Sequence, residues 1–220
     1  MIRKEQMGSR KDQSSGKGGL AKTLTLDILR QKTRAAGLLA NDAKSCYDRV
    51  IHAFAMFAMH RMGVAYSVLL CMFLTLQLAI HFVKTGWGVS KTSYGGHLSI
   101  QTRELPLQGL GQGNGAGPAI WAVISTVLIE CMVSYGLCAQ FTTALSGTLV
   151  VFAGIAFVDD TDIFYTARDN SASGEDILPQ IQETLNLWEG LLRATGGALR
   201  PNKSFWYLLD WLWDGKKWVP

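Results

Sequence analysis

The chain has 220 residues, of which 48% are hydrophobic and 17% charged. This length suits one domain, or a large piece of one, with enough apolar material for a core. The formal net charge of +4 is uneven, because residues 1–36 hold nine Lys/Arg against three acids, and the rest of the chain therefore carries −2. The basic segment suits either a polyanion-binding arm or a solvated tail.

Several classes of protein are disfavoured by the cysteines and the N-terminus. The four cysteines lie far apart without a Cys-x-x-Cys pair, so we expect neither a zinc site nor a disulfide framework. Reduced thiols and the lack of an apolar stretch near the N-terminus predict an intracellular protein, in the cytoplasm or nucleus.

Two long runs without charged residues, 62–83 and 131–158, raise the alternative of a polytopic membrane protein. Both contain polar side chains, and neither is flanked by a clear basic bias or aromatic belt. We therefore predict that they are buried helices and strands and that the chain does not bind a membrane.

We predict a basic, largely disordered segment at 1–36, with a short helix beginning near Leu20, and a folded domain at 37–220. Hydrophobic periodicity and glycine punctuation predict the elements of this domain. In chain order they are a strand at 37–41, helices at 48–62 and 65–83, a hairpin around Trp87, a glycine-rich loop at 107–119, a helix at 118–134, strands at 150–158 and 162–166, a helix at 177–195, and strands in the aromatic tail 204–220. This order predicts an α+β fold rather than alternating β/α units.

Two adjacent acids, Asp159 and Asp160, end the second uncharged run. Unpaired carboxylates are costly beside such an apolar stretch. Neighbouring residues of a strand point to opposite faces, so both acids can serve one site only at a turn. With Asp42 at the end of another strand, two or three carboxylates would meet and repel each other unless a cation lies between them. Mg²⁺ suits this role because it binds one or two carboxylates together with substrate phosphates.

Four segments of the chain occur in an order that resembles motifs A to D of the reverse transcriptase palm. They are Asp-Ala-Lys-Ser-Cys-Tyr-Asp at 42–48, Gly-Gln-Gly-Asn-Gly-Ala-Gly-Pro at 111–118, Phe-Val-Asp-Asp at 157–160, and Gly-Gly-Ala-Leu-Arg-Pro-Asn-Lys at 196–203. The resemblance is greatest to reverse transcriptase domains of retrotransposons and covers residues 41–204. It implies an RNA-directed DNA polymerase whose palm has an antiparallel sheet with an acidic β-hairpin, packed on helices.

The resemblance also implies catalytic roles, by position. Asp42 and Asp159 would hold two Mg²⁺ ions, with Mn²⁺ as the alternative metal, and Asp160 would support them. Lys203 would donate a proton to the departing pyrophosphate. Two ions would stabilise the attacking and leaving oxygens of an in-line phosphoryl displacement.

For the nucleotide, the resemblance implies that Tyr47 is an aromatic gate against a 2′-hydroxyl and that Gln112 and Gly113 line the nucleotide pocket. The implied partners are an RNA template, a DNA primer and a dNTP. From the residues alone, Tyr47 can instead be a core aromatic, the glycine-rich loop an ordinary connector and Lys203 a solvated lysine.

About 40 residues precede motif A and about 16 follow motif D. We therefore expect the fingers and thumb of such a polymerase to be largely missing and the chain to be part of a larger polyprotein. A non-catalytic, nucleic-acid-binding palm fragment is the main alternative to an active enzyme. An RNA-dependent RNA polymerase is the alternative within the same class, and Tyr47 argues against it.

Overall fold

The computed structural model describes residues 2–8, 10–95 and 109–219. The helices of this part are α1 Ser15–Lys32, α2 His52–Arg61, α3 Tyr66–Leu78, α4 Gly117–Ser134 and α5 Gly174–Ala194. The strands are β1 Ala36–Asp42, β2 Ile80–Thr85, β3 Gly88–Gly95, β4 Ala139–Thr142, β5 Leu149–Phe152, β6 Gly154–Phe157, β7 Asp160–Thr166, β8 Phe205–Leu209, β9 Leu212–Trp213 and β10 Trp218–Val219. The named strands pair antiparallel, which confirms a mixed α+β architecture.

The central sheet has four strands in the order β6-β7-β1-β8. Alternate residues of β1 face opposite sides, as the two-residue period of a strand requires. Leu38 packs in a cluster with Leu29 of α1, whereas Leu39 packs in the main core with Ile181 of α5. A Cβ at Gly37 would lie 2.6 Å from the Ile181 side chain, so α5 packs directly on the strand backbone. The sheet is therefore covered by helices on both faces.

The N-terminal segment differs from the prediction of a largely disordered region at 1–36. Ser15–Lys32 is a helix capped by the Ser14 side chain, which accepts a hydrogen bond from the Lys17 amide. Ahead of it, Met7 donates to the carbonyl of Ala156, adding the segment to the free edge of β6. These contacts join residues that are far apart in the sequence. The composition of residues 1–36 by itself therefore did not indicate that the segment is ordered. The division of the chain into units at 1–36 and 37–220 stays a prediction.

Helix α4 is the core helix of the main hydrophobic cluster. Its buried residues include Ile120, Ile124 and Leu128. By length and composition it is the one helix in the described residues that is apolar enough to cross a membrane, and 56% of it is buried. Neither of the two uncharged runs is a single helix: 62–83 is divided between α3 and β2, and 131–158 between the end of α4 and three strands.

Most of the other predicted elements are found, with shifted ends. The hairpin around Trp87 is the β2–β3 pair, which begins earlier than predicted because α3 ends at Leu78. The predicted strand at 150–158 is two strands, since β5 pairs with β4 and β6 pairs with β7. At the start of β6, a Cβ on Gly154 would lie 2.1 Å from the Asp162 carbonyl oxygen, so this close pairing requires glycine.

Candidate active site

The acidic hairpin joins β6 to β7 through the two-residue turn Val158-Asp159, closed by the pair Phe157 and Asp160. Val158 has a φ of 61°, a conformation that a β-branched residue rarely adopts. Such strain persists only where the surroundings hold it. The indole Nε1 of Trp121 in α4 donates to the Val158 carbonyl at 2.5 Å. A Cβ at Gly8 would lie 2.5 Å from the Val158 nitrogen, so the N-terminal segment presses on the same turn.

The predicted acids lie at one end of the sheet. Asp42 is the cross-strand partner of Asp160, and opposed residues in an antiparallel pair project from the same face. The Ala43 amide donates to the Asp159 carbonyl at 3.3 Å, which joins the turn to the end of β1. The structure therefore brings Asp42 next to Asp159 and Asp160, which lie more than a hundred residues further along the sequence.

The carboxylates perturb one another. Burial and the nearby charges of Asp159 and Asp42 raise the pKa of Asp160, and Lys203 partly offsets them. The Asp42 carboxylate, 16% exposed, lies 3.7 Å from Lys203 Nζ and 3.8 Å from a guanidinium nitrogen of Arg200. The acidic end of the sheet thus has cations beside Asp42.

Lys203 reaches Asp42 because the segment before β8 runs alongside the end of β1 and is hydrogen-bonded to it. Lys44 donates its amide to the Ala198 carbonyl at 2.8 Å, and Arg200 donates its amide to the Asp42 carbonyl at 3.0 Å. A short 3-10 turn at Pro201–Lys203 then directs the chain into β8. The predicted lysine is therefore next to the predicted acids, and its side chain is 58% exposed.

Tyr47 lies between the acidic turn and the start of α4. A Cβ at Gly117 would lie 3.5 Å from the Tyr47 ring, in ordinary contact with it. Burial, together with the neighbouring Cys46 thiol and the Asp159 carboxylate, raises the pKa of Tyr47 to about 12. Burial and Asp159 likewise raise the pKa of Cys46 to about 12. Tyr47 is thus partly buried and keeps its phenolic proton beside the acids.

The glycine-rich loop is docked on the segment that contains Tyr47; its first two predicted residues, 107 and 108, lie outside the described residues. The Leu110 amide donates to the Tyr47 carbonyl at 2.7 Å, and the Gln112 amide donates to a carboxylate oxygen of Asp48 at 2.9 Å. Gln112 and Gly113 are exposed, and Gly113 has a φ of 94°. The loop is therefore anchored at its start and presents its tip to solvent.

His52, for which the sequence indicated no role, bridges α3 and this loop. Its Nε2 donates to the Gly109 carbonyl at 2.5 Å, and its Nδ1 accepts from the Gln77 side chain at 3.1 Å. The ring is 7% exposed and contacts Phe73. Sequence spacing does not reveal this role, because both partners lie far along the chain and one of them is a backbone carbonyl. Trp121 was missed for the same reason.

A cavity of about 320 Å³ opens beside the acids on the face covered by α1. Its walls include Asp42, Asp160, Asp162 and Lys203, and the first turns of α1 close the opposite side at Gly18. Lys22 of α1 forms an ion pair with Asp162 at 2.9 Å. Among the residues that the structure describes, no group of three or more His, Cys, Asp or Glu side chains is arranged to hold a metal ion by itself.

Solved structures with a similar fold include three telomerase structures. The apo telomerase of Candida tropicalis, truncated from its C-terminal domain, matches with a TM-score of 0.58 at 12% identity, over 93% of this chain and 36% of the telomerase chain. The telomerase of Candida albicans in complex with a TWJ fragment of telomeric RNA matches with a TM-score of 0.58 at 12% identity, over 91% of this chain and 31% of its own. The corresponding complex of the Candida tropicalis enzyme has a TM-score of 0.56 at 13% identity, over 94% and 31%.

At these identities the likeness shows a shared fold. The chain spans about a third of the length of the telomerases that it matches. No protein-family model and no curated protein sequence matches it.

Proposed function

We propose that this chain is the palm of an RNA-directed DNA polymerase of the reverse transcriptase kind, from a retroelement. Its reaction would be the attack of a primer 3′-hydroxyl on a dNTP, with release of pyrophosphate. The observation that carries the proposal is the meeting of the four sequence motifs at one end of the sheet. Asp42 opposes Asp160 across β1 and β7, and Lys203 lies 3.7 Å from Asp42. The fold shared with telomerases, which are related to reverse transcriptases, supports it.

The donor chemistry of the site fits a hard divalent cation. Burial and mutual repulsion raise the pKa of Asp160, so the carboxylates would gain from a cation between them. Asp42 and Asp159 would hold Mg²⁺ or Mn²⁺, and Asp160 would support them. A site that takes two protein carboxylates and completes its shell with substrate phosphates does not require a third ligand from the protein. The bound ions would supply charge stabilisation for the phosphoryl transfer.

The remaining residues would position the substrates. Tyr47, held between Gly117 and the acidic turn, would contact the sugar and select against a 2′-hydroxyl. The exposed tip of the loop at Gln112 and Gly113 would let the base and template approach the backbone closely. Lys203, more than half exposed, would donate a proton to the leaving pyrophosphate from beside Asp42.

Primer extension on an RNA template tests this proposal. The wild-type chain should extend a DNA primer with dNTPs in Mg²⁺ or Mn²⁺, and Asp159→Asn should abolish the extension while the variant stays folded. Asp27→Asn is the matched control, because the Asp27 side chain is 48% exposed, pairs with Arg30 of the same helix and does not line the cavity beside the acids. Extension that survives in Asp159→Asn would refute the assignment of the metal-binding turn.

A second candidate is a palm that binds nucleic acid without catalysis. One observation favours it: Asp42 already has two cations, Lys203 and Arg200, within ion-pair distance, and these would compete with a metal ion. The same assay separates the two functions. Retained binding of an RNA–DNA duplex, with no extension in either metal, would select the non-catalytic function.

A further inference from the structure

The hairpin of β2 and β3, called here the ribbon (Ile80–Gly95), is exposed along most of its described length. All six residues of β2 are exposed, and in the described residues the two strands pair only with each other. Trp87 lies in the turn and is 100% exposed, with its backbone amide bonded to the Thr85 hydroxyl. Phe82 is 53% exposed. An isolated two-stranded hairpin is marginal by itself, so its exposed aromatics call for a partner.

The charge of the ribbon indicates what kind of partner it fits. The sequence from Arg49 to Arg103 contains no aspartate or glutamate. Within the ribbon the charged side chains are Lys84 and Lys91, both exposed. Strand β3 adds the hydroxyl groups of Thr92 and Ser93, and hydroxyls and ammonium groups are common donors to phosphate oxygens. The ribbon is therefore complementary to a polyanion.

A second copy of the chain fits this surface poorly. The register of the ribbon shifts between Phe82 and Lys84, and Ser90 fills the irregularity by accepting the Val83 amide at 3.0 Å. Bulges and lysines of this kind discourage pairing between strand edges. Two ribbons of equal positive charge would also repel each other.

The ribbon is connected to the candidate active site. It begins two residues after α3, and Gln77 near the end of α3 is bonded to His52, which in turn bonds to Gly109 of the glycine-rich loop. A strand of nucleic acid held by the ribbon would thus contact an element that is tied to the proposed nucleotide pocket.

We propose that the ribbon binds single-stranded nucleic acid, with Trp87 stacking on a base and Lys84 and Lys91 contacting phosphates. Exposed aromatics beside cations are the usual platform for such strands, because every base has an aromatic face. This inference goes beyond the proposed function, since strand binding requires neither metal nor catalysis.

Fluorescence anisotropy with labelled single-stranded RNA or DNA of about 20 nucleotides tests it on the full chain. Trp87→Ala should raise the Kd about 5- to 150-fold, because it removes the stacking of one base. The double variant Lys84→Ala, Lys91→Ala should make the negative slope of log K against log salt shallower by about 1.4, since each phosphate contact on a single strand contributes about −0.7. Because these side chains are exposed, circular dichroism should be unchanged.

The β9–β10 hairpin offers matched controls. Trp213→Ala removes another exposed tryptophan, and Lys216→Ala with Lys217→Ala removes two other exposed lysines. Both should leave the Kd within about twofold. An equal loss in the controls, or no loss in the ribbon variants, would overturn the proposal.

Two further measurements identify a different partner. If Trp87→Ala abolished co-sedimentation with phosphatidylserine vesicles but left oligonucleotide binding unchanged, the ribbon would be a lipid-binding element. If it instead abolished dimerisation in sedimentation velocity with oligonucleotide binding unchanged, the ribbon would be an interface between copies. Either result would refute strand binding. Inactivity in primer extension would not, so the failure of this inference and that of the proposed function are distinguishable.

Discussion

Replacing Trp121 by phenylalanine tests whether one indole hydrogen bond holds the acidic turn in place. Trp121 is 2% exposed, and its Nε1 lies 2.5 Å from the Val158 carbonyl oxygen. Phenylalanine would keep a ring in the core but leave that carbonyl without its donor. Leaving this partly buried carbonyl unpaired costs about 1–3 kcal/mol, and the smaller ring adds about 1 kcal/mol for the void. We expect the free energy of unfolding to fall by about 2–4 kcal/mol.

Trp188→Phe is the matched control. Trp188 is also 2% exposed, but its Nε1 has no hydrogen-bond partner among the described residues. This variant loses the same ring atoms and removes an unpaired donor instead of creating an unpaired acceptor. Its cost should be smaller than that of Trp121→Phe by about 1–3 kcal/mol. The assay is urea unfolding followed by far-ultraviolet circular dichroism, which does not depend on the altered tryptophans.

Equal costs for the two variants, or a greater cost for Trp188→Phe, would refute the reasoning. Primer extension adds a second readout, measured where both variants are folded. Because the turn carries Asp159, Trp121→Phe should lose more extension activity than Trp188→Phe. A turn that needed no support from the indole would give the two variants the same activity.

Three other predictions follow from single contacts. Gly154→Ala should lower the free energy of unfolding by about 2–3 kcal/mol, because the new Cβ would overlap a carbonyl of β7. Gly190→Ala is the comparison, since Gly190 faces open space on α5, and it should raise the free energy of unfolding by up to about 1 kcal/mol. Thermal melts of the two variants measure the difference. Hydrogen bonds from Ser173 lower the pKa of Asp176, so the ionised carboxylate stabilises the protein above the ordinary carboxyl pKa, and this contribution is lost as the pH falls through the lowered value. Asp176→Asn should therefore lower the free energy of unfolding at neutral pH and leave it equal to that of the wild type in strong acid. Chemical unfolding at both pH values measures the difference. Burial and nearby acids raise the pKa of Cys46 to about 12, so mass spectrometry should find it unmodified by iodoacetamide at neutral pH until the protein is unfolded.

The parts of the fold that were predicted from the sequence have strong local signals. Strand β1 and the start of α4 were predicted because their apolar spacing and a proline at the helix start report local structure directly. Helix α1 was predicted only in part, because the side that packs on the sheet carries both polar and apolar residues. Lys22 is half-buried and paired with Asp162, whereas the buried residues are Gly18, Thr25 and Leu29, and no apolar period links these three. Their burial depends on the sheet beneath them.

The candidate site divides in the same way. The resemblance places Asp42 and Lys203 in the candidate site by position, and the structure brings them within 3.7 Å of each other, while their roles stay predictions. His52 and Trp121 were not identified, since both lie in apolar helices and donate to backbone carbonyls. Every residue has a backbone carbonyl, so the sequence contains no particular residue type that would mark the partner of His52 or Trp121.

The charges around the acidic turn give the proposed metal site its physical basis. Four aspartates surround this end of the sheet, and two of them have cations: Asp42 is paired with Lys203, and Asp162 with Lys22 of α1. Among the described residues no cation lies within ion-pair distance of Asp159 or Asp160, and the charge of Asp159 raises the pKa of both Cys46 and Asp160. The unpaired negative charges of Asp159 and Asp160 lie at a strained turn that Trp121 and the N-terminal segment hold in place. The two carboxylates therefore cannot move apart by a change in the conformation of the turn. Divalent cations bound there would relieve the repulsion, which is why we expect the turn itself, more than Asp42, to determine metal affinity.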